Sequence, residues 1–416
     1  MPDKFDWINQ EMGALQDQGL RTSIRTIGSA CGAWMIVDGK RVLNFCSNNY
    51  LGLANHPKLK GAAKEAIDLW GVGPGAVRSI AGTLELHRRL ETRLAAFKGV
   101  EDALYVQSGF CANQAAIPPL VGKGDVIFTD RLNHASIIDG CRLSFAKVVV
   151  YEHCDAPDCE RVIQENLGHF GRALLITDGV FSMDGDMAPL DRLYQLCEHY
   201  GIISVVDDAH GEGVVGRGGR GIVDHFRLNG KFDLEIGTLS KAFGVMGGVI
   251  AGRGVVIDWI RQKARPFLFS SAVTAADTAA CLAAVDLLEE STELVEKLWE
   301  NTRYFKQGMK QAGFDTGASV TDHAGHAGRC VALPAVLAQA LRIRARHFRH
   351  ADRFSDRGAG EGAYPRHDQR SPLAGGSRHR AGDLLQGRQR TRRHQLKSGT
   401  TRRDLNSSSS RRREGS

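Results

Sequence analysis

Four short apolar runs end in polar residues that could do chemistry on an amine. IISVVDDAHG (202–211) delivers Asp207, Asp208 and His210, LEIGTLSKAFG (234–244) delivers Thr238 and Lys241, and ALLITDGVFSMDGD (173–186) delivers Ser182. The fourth, DALYVQSGF (102–110), closes on Gly109, whose missing Cβ lets backbone N–H groups approach an anion at the start of a helix. A lysine in such a loop is a reasonable imine former, because partial burial and nearby charge lower its pKa and free its lone pair. Taken alone, Lys241 could as well be a solvated surface residue. Asp207 has the type needed to keep a pyridine nitrogen protonated so that the ring draws electrons; without context it could equally cap a helix.

These residues need a scaffold that aims strand ends at one place. Between about 44 and 290 the sequence alternates β-rich runs with amphipathic stretches, the pattern of an α/β fold on a mostly parallel sheet, whose ligand sites lie past the carboxyl ends of the strands. The strand candidates are DALYVQSG, DVIFTD, KVVVYEH, ALLITDGVFS, IISVVDDAH and LEIGTLSKA. A helix is expected over 84–97, where Leu90, Leu94 and Phe97 share a face and Thr83 is the N-cap candidate. A last helical region runs from Thr274 through Lys310.

The chain of 416 residues is long enough for two domains and a sizeable core, and no apolar run approaches the ~20 residues needed to span a bilayer. The first twenty residues are acidic where a signal peptide would be basic and lack an apolar stretch, so a cytoplasmic protein with no membrane partner is expected. Nine scattered cysteines form no C-x-x-C pair and suggest neither a disulfide framework nor a zinc site; His153, Cys154 and Cys159 read as an ordinary loop, with no metal expected. The net charge of +7 divides unevenly, +13 in 322–416 and −6 in 1–321. Nucleic-acid binding through an Arg-rich tail is therefore the non-enzymatic alternative, although that tail has no aromatic interleaving. Gly211, Gly213 and Gly216 spell G-x-G-x-x-G, but RGGRG follows instead of a helix, which weakens a dinucleotide reading.

T-L-S-K-A (238–242), D-D-A-H (207–210), D-G-V-F-S-M-D-G (178–185), N-H-A-S-I-I-D-G (133–140) and N-F-C-S-N-N-Y-L-G-L (44–53) together resemble the α-oxoamine synthases, over roughly residues 10–321. The resemblance implies a dimeric pyridoxal-phosphate enzyme of fold type I that condenses an amino acid with an acyl-CoA. It implies that Lys241 carries pyridoxal 5'-phosphate as a Schiff base and moves the α-proton, that Asp207 pairs with the ring nitrogen, that His210 hydrogen-bonds the ring oxygen, and that His134 stacks on the ring. By the same resemblance Gly109 and Phe110 amides with Thr238 hold the phosphate, Ser182 supports the ring-oxygen side, Ser270 and Ser271 reach the phosphate of the partner subunit, and Asn48 positions the amino acid. N-N-Y-L-G-L-A-N-H-P, S-I-I-D-G and R-Q-K-A-R-P-F-L-F-S look most like the glycine C-acetyltransferase branch, which joins glycine to acetyl-CoA. 8-Amino-7-oxononanoate synthases, which join alanine to a pimeloyl donor, usually carry Asp at the position of Asn49 and form the alternative.

The expected organisation is an N-terminal segment (1–43), a large cofactor domain (44–290), the start of a small domain (291–321) and an Arg-rich segment (322–416). In 341–416 only nine of 76 residues are Leu, Ile, Phe or Val, below the roughly 20% floor for a foldable chain, so disorder is expected. An out-of-frame reading of a GC-rich gene would give that composition. The resemblance also implies a substrate-carboxylate arginine in a P-x-V-P-x-G-x-x-R-I-R context. Leu341-Arg342-Ile343-Arg344 lacks the preceding turn, so the role passes to neither arginine, and cofactor binding is expected to outlast turnover.

Overall fold

The computed structural model describes residues 3–166 and 168–313. The Arg-rich segment, Cys330, Arg342 and Arg344 lie outside the described residues.

A two-stranded antiparallel hairpin, β1 (Trp34–Val37) and β2 (Lys40–Leu43), precedes the main sheet. The main sheet comprises β3 (Asp102–Val106), β4 (Val126–Asp130), β5 (Lys147–Tyr151), β6 (Ala173–Asp178), β7 (Ile203–Asp207), β8 (Leu234–Thr238) and β9 (Gly248–Gly252). Its strands lie in the order β3-β9-β8-β7-β6-β4-β5, and β9 alone among them runs antiparallel to its neighbours. Period-two side chains feed two cores. Tyr105, Phe128, Leu175, Val206 and Val249 lie in a core shared with helices Glu85–Lys98, Ala156–Asn166, Leu190–Tyr200 and Ala275–Glu290, while Leu104, Ile127, Ile176, Val205 and Ile250 lie in a core shared with helices Gly109–Leu120, Ala135–Ser144 and Gly254–Lys263. The central strands are thus buried on both sides, as a covered parallel sheet requires. This is the fold type I architecture of pyridoxal-phosphate enzymes.

All six strands read from the sequence form, and Leu90, Leu94 and Phe97 are buried along one helix face. Three features differ. β9 (GVIAG) was not foreseen, because two glycines thin its apolar pattern; a Cβ on Gly248 would come within 2.1 Å of the Ser108 carbonyl oxygen, so close strand approach sets that residue. Thr83 is not the N-cap of the helix Glu85–Lys98, since its hydroxyl donates to the Arg78 carbonyl at 2.6 Å and accepts from Arg78 Nε at 3.0 Å. Leu84 takes the cap position instead, its N–H donating to His87 Nδ1 at 2.9 Å. The last helical region is two helices, Ala275–Glu290 and Glu293–Gln311, the first capped by Thr274, which accepts from the Asp277 N–H at 3.2 Å. No helix among the described residues is long and apolar enough to cross a membrane.

Candidate active site

The carboxyl ends of β6, β7 and β8 converge because parallel neighbours end in register, with Asp178 opposite Asp207 and Asp207 opposite Ile236. From the turn after β8, Lys241 places Nζ 2.9 Å from His210 Nε2. The other ring nitrogen, His210 Nδ1, lies 2.7 Å from the Tyr50 hydroxyl. Asn113 Nδ2, from the helix Gly109–Leu120, donates to Asp207 Oδ2 at 2.6 Å and to Ser136 Oγ at 3.0 Å, and the Ala209 N–H donates to Asp207 Oδ1 at 3.0 Å. Asp207 is thereby held at the end of its strand with its neighbours already bonded.

Burial lowers the Lys241 pKa more than Asp207, Asp178 and the other nearby carboxylates raise it, which favours the free amine. His210 is pushed well below the ordinary histidine value, first by burial and then by Lys241 and His134, so its ring is neutral. Asp178 is pushed well up, by burial and then by repulsion from Asp207; its Oδ2 accepts from the His134 N–H at 2.8 Å.

His134 stands exposed at the N-cap of the helix Ala135–Ser144, its Nδ1 2.7 Å from Ser136 Oγ. Gly109 and Phe110 open the helix Gly109–Leu120, which Ser108 caps by accepting from the Cys111 N–H at 3.1 Å. A Cβ on Gly109 would lie 2.8 Å from Thr238 Cβ, so that helix start and the end of β8 meet only because residue 109 is glycine. Thr238 Oγ1 donates to the Gly247 carbonyl at 3.0 Å. Asn48 leaves Oδ1 buried with no hydrogen-bond partner. Ser182 lies half-buried in the turn after β6 and Ser270 half-buried beyond β9; Ser271 is exposed and pairs its backbone with Val77. Among the described residues no hydrogen bond ties these three serine side chains to Lys241, His210 or Asp207.

Sequence reasoning passed over Tyr50, Asn113, Ser136 and Asp178, although Tyr50, Ser136 and Asp178 stand inside quoted motifs. It also missed a buried cluster beneath the D-D-A-H turn. Lys98 Nζ lies 2.7 Å from Glu212, 3.0 Å from Glu235 and 3.9 Å from Asp208. Burial would lower Lys98, but the carboxylates outweigh it and raise the ammonium's pKa, so it stays charged. The G-x-G-x-x-G glycines run into turns and the four-residue helix Ile222–His225, giving no helix N-terminus of the kind a dinucleotide needs.

Residues 40–342 match the family model for aminotransferase class I and II. The chain is 59% identical over 319 residues to an 8-amino-7-oxononanoate synthase of Thermosipho melanesiensis, covering 76% of this chain and 81% of the relative. An 8-amino-7-oxononanoate synthase of Fervidobacterium nodosum is 59% identical over 317 residues, 76% of this chain and 80% of its own length. The chain belongs to the aminotransferase class I and II family, among its α-oxoamine synthases. A serine palmitoyltransferase structure from Sphingomonas wittichii superposes with a TM-score of 0.71 at 30% identity, over 75% of this chain and 79% of that one.

As an α-oxoamine synthase the chain is a pyridoxal-phosphate-dependent acyl-transferring enzyme, and its residues suit that cofactor. A helix start opened by a glycine, a buried carboxyl at a strand end, a lysine favoured as free amine and an orphaned Asn48 oxygen offer complementary partners for a phosphate, a ring nitrogen, an aldehyde and a bound amino acid. The glycine C-acetyltransferase expectation is overturned by the 59% identical relatives, which are 8-amino-7-oxononanoate synthases. The geometry shows why Asn49 misled. Its Oδ1 accepts from the Ala54 N–H at 3.0 Å and its Nδ2 points to Cys31 Sγ at 3.7 Å, so it closes a local turn, and an aspartate there could accept the same N–H.

Proposed function

We propose that this chain condenses alanine with a pimeloyl thioester to give 8-amino-7-oxononanoate, carbon dioxide and the free thiol. The observation that carries the reading is the convergence of Lys241, His210 and Asp207 at adjoining strand ends, in a chain 59% identical to synthases of that name. Bound pyridoxal phosphate supplies the electron sink that stabilises negative charge at the amino-acid α-carbon. Lys241 would anchor the cofactor and would take the α-proton of alanine on Nζ, and burial lowers its pKa in the direction that role needs. Asp207 would pair with the ring nitrogen and keep it protonated. His210 would donate to the ring oxygen, supported by Ser182, and His134 would stack on the ring. Gly109 and Phe110 amides with Thr238 bind the phosphate, Ser270 and Ser271 complete it from the partner of a homodimer, and Asn48 orients alanine. The domain boundaries at 44, 290 and 321 belong to the same proposal.

The test is reduction of the cofactor-loaded chain with borohydride, followed by peptide mapping. The cofactor should be fixed on Lys241, and Lys241→Ala should retain none; a label on another lysine would overturn the site. Thiol release should be fastest with alanine and a pimeloyl thioester. A preference for another amino acid or a short acyl donor would overturn the substrate assignment while leaving the cofactor site standing.

A further inference from the structure

We infer that Tyr50 is a positioning residue that fixes the His210 ring so that its proton sits on Nε2, facing Lys241 and the cofactor. The inference rests on the functional reading above for what Nε2 faces, and on geometry for the rest. His210 is 6% exposed and contacts a hydrogen-bonding side chain at each nitrogen, Tyr50 at Nδ1 and Lys241 at Nε2. A neutral imidazole carries one N–H, so one nitrogen must accept while the other donates. Where Lys241 is a free amine, the direction in which burial moves it, Nζ offers a lone pair 2.9 Å from Nε2 and calls for an Nε2–H. The phenolic ring oxygen, an acceptor, makes the same demand once the cofactor is bound. Nδ1 is then the bare nitrogen, and the Tyr50 hydroxyl at 2.7 Å is its donor. Tyr50 is placed for this by its own loop, where its N–H donates to the Asn48 carbonyl at 2.8 Å. The loop that positions Asn48 for the amino acid therefore also sets the polarity of His210.

The experiment uses the full chain labelled with 15N-histidine, the His210 signal being assigned by its loss in His210→Gln. In the cofactor-free wild type, at a pH high enough that Lys241 is a free amine, His210 should show one tautomer, protonated on Nε2. Tyr50→Phe, which removes only the hydroxyl, should mix the two tautomers. With pyridoxal phosphate bound, Tyr50→Phe should move the pH midpoint of the cofactor's absorption band upward, because an imidazole that has lost the donor at Nδ1 is a weaker Nε2–H donor to the ring oxygen; the expected shift is about one unit, the size of one neutral hydrogen bond. Should Tyr50→Phe fail to fold, uniform 3-fluorotyrosine, a stronger hydroxyl donor, should move the same midpoint downward. An unchanged tautomer in Tyr50→Phe, or an unmoved midpoint with 3-fluorotyrosine, would overturn the role of Tyr50. Failure of borohydride to fix the cofactor on Lys241 in the wild type would overturn the functional reading instead, and the tautomer result on the cofactor-free chain would still decide the role of Tyr50.

Discussion

At the scale of single residues, the site is organised by hydrogen bonds that hold the Asp207 carboxyl and the His210 ring before any ligand arrives. Asn113 shows this best. It is fully buried, and its single amide nitrogen serves both Asp207 and Ser136, so one side chain holds the carboxyl from β7 and braces the turn that carries His134. A hydrogen bond to a carboxylate in such surroundings contributes about 1.5–3 kcal/mol. Asn113→Ala should therefore weaken retention of pyridoxal phosphate by about ten- to a hundredfold, read as the cofactor's dissociation constant by absorbance. Retention equal to wild type would mean that the Ala209 N–H alone orients Asp207.

At the scale of elements, the loops after β4, β5 and β6 are tied together by one imidazole. His153 Nδ1 lies 2.9 Å from Asp130 at the end of β4, and its Nε2 lies 2.7 Å from Asp186 in the loop that carries Ser182. Burial alone would lower its pKa, but the hydrogen bonds to Asp130 and Asp186 dominate and raise it to about 12. The folded value is above the unfolded one of about 6.5, so the stabilisation is complete below that pH and declines as pH rises toward the folded value. The stability difference between wild type and His153→Gln, from urea unfolding, should shrink between pH 6 and pH 9; a constant difference would show that the ring is neutral and only packs, edge-on, against Phe181.

This strap also marks the limit of what the sequence could reveal. The strands were legible because runs such as IISVVDD are mostly apolar up to the polar residues that end them, as a doubly covered sheet demands. The ends of those strands were legible because Asp207, Ser182 and Lys241 interrupt the runs. His153 looked like a loop residue because its partners lie 23 and 33 positions away and only the parallel pairing of β4 with β5 and β6 brings them together. The contact between Tyr50 and His210, 160 positions apart, was hidden by that separation. Lys98 lies one residue past the helix expected over 84–97, and nothing local signals that three carboxylates await it.

At the scale of the whole molecule, the described surface carries an apolar rim. Ile80 is 83% exposed and Phe269 74% exposed, and the segments that carry them are joined by the Val77–Ser271 bridge and by Ser79 Oγ donating to the Leu268 carbonyl at 3.4 Å. Ser270 and Ser271 lie immediately beyond Phe269, so the apolar rim and the serines proposed to reach a partner's phosphate are one surface. Covering such a rim with a second copy buries apolar area, the main drive for stable association. Ile80→Asp and Phe269→Asp each put an unpaired charge into that contact, which costs several kcal/mol if desolvated and almost nothing if the surface faces water. In sedimentation at micromolar concentration the wild type should run as a dimer and both variants should shift toward monomer. If Ser270 and Ser271 act across the interface, cofactor retention should fall in step with dissociation, although neither substitution touches a residue of the Lys241 cluster. A wild-type chain that sediments as a monomer while holding cofactor fully would show that the site is complete within one subunit.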